Sequence, residues 1–236
     1  KMTEWVAGDH ITLTANEDYF GGAPSIKKVT IKPIVDKNTG LIALENKEID
    51  VFLNVNSSDI ATVKENKDLA FYSSNQAAVL SLNMNIEKKP LDDVKVRKAI
   101  SHAINKENII VGALENIGTI AKSAIPPVVA GYTEDAPSYE YNIEKAKQLL
   151  KEAGFEKLNL TMKIKEDAKS QKVAQIIKAD LKEAGIDVTI EVMEAGAFNT
   201  DIYANGNYEI TVGSWSAMFL DAYSVVYSQF HKDCYG

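Results

Sequence analysis

The sequence predicts an α/β protein, and three observations carry that prediction. Residues before about 80 hold short β-prone segments with little helix. Residues beyond about 105 hold long amphipathic helices alternating with strands. Between them runs Leu82–Asn105, a strand end, a polar turn closed by Pro90 and then a helix. Short strands separated by small helices, followed by strand–helix–strand units, imply a mixed sheet with helices packed on it.

Taken in order, Ile11–Ala15 alternates and reads as a strand, followed by turn chemistry from Asn16 to Pro24. Gly21-Gly22 reads as part of that turn, because no phosphate-loop spacing follows. Lys28–Ile34 reads as a second strand, which Pro33 confines to an edge or an end. Thr39–Glu48 reads as a short helix, Ile49–Asn54 as a strand, and Ser57 or Ser58 as the cap of a helix reaching Asn66. Leu69–Ser73 and Ala78–Asn83 read as strands leading into the crossing.

In the crossing, Asp92 and Asp93 bring acceptor oxygens and negative charge to a helix N-terminus. Val96, Ala99, Ile100, Ala103 and Ile104 then form one apolar stripe. Asn105–Leu114 is a further short helix, and Gly118–Tyr132 is loop. Asn142 caps a helix that Gly154 ends, and Leu158–Ile164 alternates as a strand. Ala168–Ala184 is a longer helix ended by Gly185, and Ile186–Val192 is the next strand. That strand–helix–strand run is a βαβ unit. Glu194–Asn205 reads as helix, Tyr208–Val212 as strand, and the segment after Trp215 becomes helical.

Composition narrows the function. The chain has 236 residues, 45% hydrophobic and 25% charged, with a net charge of −7. Scattered lysines and an acidic balance argue against nucleic acid as a partner. No apolar run approaches the roughly 20 residues of a membrane helix. Cys234 is the only cysteine and reads as an unremarkable thiol, which excludes internal disulfides and multi-cysteine zinc sites. The three histidines show no metal-protease spacing, His102 reads as a boundary residue, and no Gly-x-Ser-x-Gly elbow occurs. A non-enzyme is expected. The sequence starts on a lysine and stops at Gly236 without a closing element, so a piece of a longer chain is expected.

One stretch offers a site. Trp215 follows a strand, Phe219 and Tyr223 lie close by, and Asp221 precedes a helix. Ligands of open α/β sheets bind beyond the carboxyl ends of strands, and an aromatic wall with a few polar handles suits a small solute. The same residues could equally be a core tryptophan and an N-cap aspartate.

Five segments, in order, resemble the extracellular solute-binding proteins of peptide and nickel ABC transporters. They are Trp5–Gly22, Ala43–Asp50 (Ala-Leu-Glu-Asn-Lys-Glu-Ile-Asp, with Lys47 where relatives carry Gly), Asn85–Ile100, Tyr141–Gly154 and the stretch from Trp215. The resemblance implies a two-lobed, type II periplasmic-binding-protein-like fold with ligand enclosed between lobes. Residues 1–80 would be part of lobe I and residues 81–236 an incomplete lobe II, with Asn83 and Asn85 in a hinge connection. The partners implied are an ABC permease and a small peptide or a nickel or other metal chelate. No resident cofactor is implied, and a monomer is expected, membrane-held only through an N-terminal anchor outside this sequence. The location implied is extracellular, as a cell-surface lipoprotein or periplasmic protein.

One departure concerns the ligand. Peptide-binding members resemble Trp-x-x-Asp-x-x-Asp-Pro here, the first Asp facing a peptide ammonium, whereas this chain has Met218 at that place and Asp221-Ala222 after it. A buried ammonium without a counter-charge costs several kcal/mol. Trp215-Ser-Ala-Met-Phe219 looks closer to nickel-binding members, in which Trp215 and Phe219 would pack on a chelate and His231 would be a possible metal ligand. A ligand-sensing regulatory module on the same fold is the alternative reading.

Overall fold

The computed structural model describes residues 1–217 and 220–231, apart from the side chain of Ser57. Met218, Phe219 and Cys234, and the end of the chain after His231, lie outside the described residues. The chain divides into two compact units, Lys1–Tyr72 and Ser73–Gly236. The expected boundary at residue 80 falls inside a strand of the second unit.

The first unit opens with an antiparallel sheet of β1 (Met2–Val6), β2 (His10–Thr14) and β3 (Lys28–Ile31), in the order β1-β2-β3. Expected strand Lys28–Ile34 thus stops three residues early, ahead of Pro33. α1 (Lys37–Glu45) is capped by Asp36, whose carboxylate accepts from the Thr39 N–H at 2.8 Å. Its end is a six-to-one turn: the Glu48 N–H donates to the Ala43 carbonyl at 2.8 Å and that of Lys47 to Leu44 at 3.0 Å.

The expected strand Ile49–Asn54 is irregular chain instead. Its apolar Phe52 packs its ring on α1 where Gly40 leaves space; a Cβ there would sit 2.2 Å from the ring. Val51 and Leu53 on either side stay exposed, so the segment has no alternating face to lay in a sheet. A short 3₁₀ turn (Ser57–Asp59) leads into α2 (Ile60–Glu65). Asp59, rather than a serine, occupies the N-cap, and its side chain makes no cap bond. Expected strand Leu69–Ser73 is also irregular.

The second unit follows the expected pattern closely. β4 (Ala78–Met84) leads through the turn at Pro90 into α3 (Val94–Ala103). The Asp93 carboxylate accepts from the Lys95 N–H at 2.7 Å, and Val96, Ala99, Ile100 and Ala103 are buried. α4 (Lys106–Gly112) is capped by Asn105 and α5 (Ile143–Glu152) by Asn142. Then come β5 (Leu158–Lys165), α6 (Ala168–Glu183) and β6 (Ile186–Met193). Glu194 caps α7 (Ala195–Phe198), which widens into a π-helical stretch, Asn199–Ala204. β7 (Ile210–Ser216) and α8 (Ala222–Phe230) close the described chain.

The sheet order is β4-β7-β5-β6. β5 runs parallel to β6 and β7, while β7 runs antiparallel to β4. One face of this sheet carries the core. Leu80, Leu82 and Met84 of β4, Leu160, Met162 and Ile164 of β5, and Ile210 and Val212 of β7 pack with α3, α5 and α6 side chains. Alternation then sends Ser81, Asn83, Lys163, Thr211, Gly213 and Trp215 to the other face.

Candidate ligand-binding site

The parallel strands β5, β6 and β7 end along one edge of the sheet, at Lys165, Met193 and Ser216. β7 reaches furthest: it pairs with β5 at Ile210 and Thr211, and its last residues run on beside β4 alone, Trp215 opposite Val79 and Ser216 opposite Ala78. Trp215 is therefore within the strand rather than after it. Its ring is half-buried against a small second cluster of Val129, Ala217 and Val225. The Ala217 N–H donates to the Ala77 carbonyl at 2.7 Å, extending the β4 pairing by one step.

Met218 and Phe219, expected in the site, lie outside the described residues. Leu220 resumes with φ of 55°, and its carbonyl accepts from the Ala130 N–H at 3.2 Å. Asp221 is the N-cap of α8, its Oδ1 accepting from the Ser224 N–H at 2.9 Å. The N-cap reading of this aspartate thus has a direct structural job. Tyr223 is 71% exposed and stacks on Tyr227 at 5.1 Å between ring centres. Tyr227 in turn stacks on His231 at 4.5 Å. With Val226 and Phe230 these rings line an open depression of about 440 Å³ along α8. Among the described residues no group of three or more His, Cys, Asp or Glu could hold a metal ion.

The two asparagines expected at the hinge have distinct surroundings. Asn85 ties the end of β4 to the chain before β7: its side-chain amide donates to the Gly206 carbonyl and its N–H to that of Glu209, both at 2.9 Å. Asn83 faces away from α3, α5 and α6, and its Oδ1 accepts from the Ser81 hydroxyl at 2.8 Å.

Other residues of this face carried no motif in the sequence. Lys163 pairs with Asp201 at 2.5 Å and donates to the Asn207 carbonyl at 2.7 Å, fastening the π-helical stretch to β5. Lys163, then the Asn207 amide, hold the Asp201 carboxyl below its ordinary value. The ring of Tyr203 meets Phe198 edge-on at 5.9 Å. A Cβ on Gly213 would stand 3.0 Å from Asn83 Nδ2 and 3.7 Å from the Tyr203 hydroxyl. Only contacts between residues far apart in the chain reveal this group; no local spacing signals it.

Comparison with known proteins settles the family. The profile described as "Bacterial extracellular solute-binding proteins, family 5 Middle" matches residues 1–236. The chain belongs to that family. The dipeptide-binding protein of Escherichia coli (strain K12) is 33% identical over 204 residues, 84% of this chain and 38% of the relative. Among solved structures, the periplasmic binding protein DppA from Helicobacter pylori in complex with peptide STSA superposes with a TM-score of 0.79 at 30% identity, covering 96% of this chain and 44% of that one. NikA from Brucella suis in complex with Fe(III)-EDTA gives 0.82 at 27% identity, covering 96% and 49%. The chain thus spans less than half the length of these proteins. Its fold is a portion of the type II periplasmic-binding-protein fold, as the five segments implied.

Proposed function

We propose that this chain is part of the solute-binding component of an ABC importer, working outside the cytoplasm, which captures a short peptide and presents it to the permease. The observation that carries the reading is family membership along the whole chain, together with a half-buried tryptophan on the strand that projects furthest from the sheet. In this reading the first unit belongs to lobe I and the second to lobe II, Asn85 pins the connection entering lobe II, and Trp215 with Phe219 lines the ligand.

A second reading, a metal chelate as ligand, is favoured by one specific observation: Met218 stands where a carboxylate would pair with a peptide ammonium. The likeness to NikA with Fe(III)-EDTA supports it as well. Without three grouped ligating side chains among the described residues, the metal would arrive already chelated. Isothermal titration of the whole protein with tri- to pentapeptides and with nickel–histidine separates the two. Micromolar or tighter binding of peptides, with nickel–histidine silent, is the expected result; the reverse would replace the peptide reading with the chelate reading.

A further inference from the structure

We infer that Asn83 is a ligand-contacting specificity residue, whose side-chain amide donates to one carbonyl oxygen of a peptide lying over β7, and that residue 213 is glycine to make room for that amide. The inference rests on the peptide-capture reading above and names the group that would read the peptide backbone.

Four features converge on it. Asn83 projects from the sheet face opposite α3, α5 and α6, whereas its strand neighbours Leu82 and Met84 pack in the core. Its oxygen is taken by the Ser81 hydroxyl, which fixes the orientation of the amide and turns the NH₂ group toward β7. Gly213 lies directly beneath that nitrogen: any larger residue would bring a Cβ to 3.0 Å from it and displace the amide. Gly213 has no positive φ, so its backbone does not demand glycine; the space above it does.

The surroundings suit an extended peptide. Beyond Thr211 the side of β7 away from β4 has left its pairing with β5, so an extended chain can lie over the strand between Asn83 and Trp215. The Tyr203 hydroxyl borders the same spot, on a π-helical stretch that the Lys163–Asp201 pair holds against β5. An amide NH₂ is a neutral donor, matched to an uncharged carbonyl acceptor rather than to a terminal ammonium, for which it carries no counter-charge. Recognition of backbone carbonyls would give tolerance of peptide side chains, and selectivity against ligands lacking amide bonds.

The test uses the whole protein and alanine tetrapeptides in which each amide oxygen in turn is replaced by sulfur, a weaker acceptor. Wild type should lose affinity at one position of this series. Asn83→Leu should weaken the parent tetrapeptide by about five- to twentyfold and abolish the sensitivity at that one position. Gly213→Ala should weaken binding in the same direction, with the thermal midpoint of unfolding retained. An Asn83→Leu protein that folds and matches wild type along the series would overturn the inference alone. Where Asn83→Leu fails to fold, Gly213→Ala and Asn83→Ser carry the same comparison. A wild-type protein that binds no tetrapeptide would overturn the peptide reading and this inference together.

Discussion

Lys47 occupies a left-handed backbone position, with φ of 62°, at the residue after the C-cap of α1. Glycine favours that conformation because it has no Cβ to clash with the carbonyl, whereas lysine is held there at a cost of about 1 kcal/mol. Lys47→Gly should therefore stabilise α1 within the whole protein by about 1 kcal/mol, read as roughly fivefold slower exchange of its amide hydrogens. The departure was visible in the sequence against the family pattern; its physical meaning needed the dihedral. Asp180 shows the opposite case, a residue invisible to pattern reading. It lies on the buried side of α6, 7% exposed, and its carboxylate accepts from the Asn105 N–H at 2.9 Å, joining α6 to the start of α4. Burial, and to a lesser degree Glu183, pushes its carboxyl above the ordinary value, against the bond from Asn105. Below the ordinary value the group is protonated in both states and contributes nothing to pH dependence. As pH rises toward the elevated folded value, the unfolded chain ionises first and stability falls. Asp180→Asn keeps an acceptor for Asn105 without the charge. Its unfolding free energy relative to wild type should rise as pH increases from about 4, the ordinary value of an aspartate, measured by urea titration at each pH.

The elements with strong local signals form as expected, and those without a local signal do not. Caps at Asp93 and Asn142 and the glycine after α5 mark helix ends because capping is chemistry among near neighbours. β5 and β6 alternate because one face is buried and the other is not. β1 escaped detection because all five of its residues are exposed, which leaves no alternation to read. Ile49–Asn54 is apolar for another reason, the docking of Phe52 on α1, and so imitates a strand. The π-helical stretch is likewise a tertiary product. It is held where Lys163, on the neighbouring strand, meets Asp201 and the Asn207 carbonyl. Lys163→Met should leave the β5–β6 pairing intact while amide hydrogens of Asn199–Ala204 exchange faster by roughly an order of magnitude, followed by mass spectrometry.

At the scale of the molecule the two units differ sharply in core. The main cluster, from Leu91 through Val212, belongs to the second unit, whereas the first buries few side chains, among them Thr12, Ala43 and Val63. Burial drives folding in proportion to apolar area removed from water. Residues 73–236 produced alone should therefore unfold in one cooperative thermal transition, and residues 1–72 alone should show none, by circular dichroism. The second unit's sheet has one further consequence, which concerns the order of events as the chain is made. β4 begins its pairing with β7, Ala78 against Ser216, yet everything from α3 to the π-helical stretch lies between them. The βαβ unit of β5, α6 and β6 can assemble from nearby sequence, but β4 must wait unpaired until β7 has left the ribosome. Such a chain has a built-in delay before its sheet closes, a window in which the unpaired β4 is open to a chaperone.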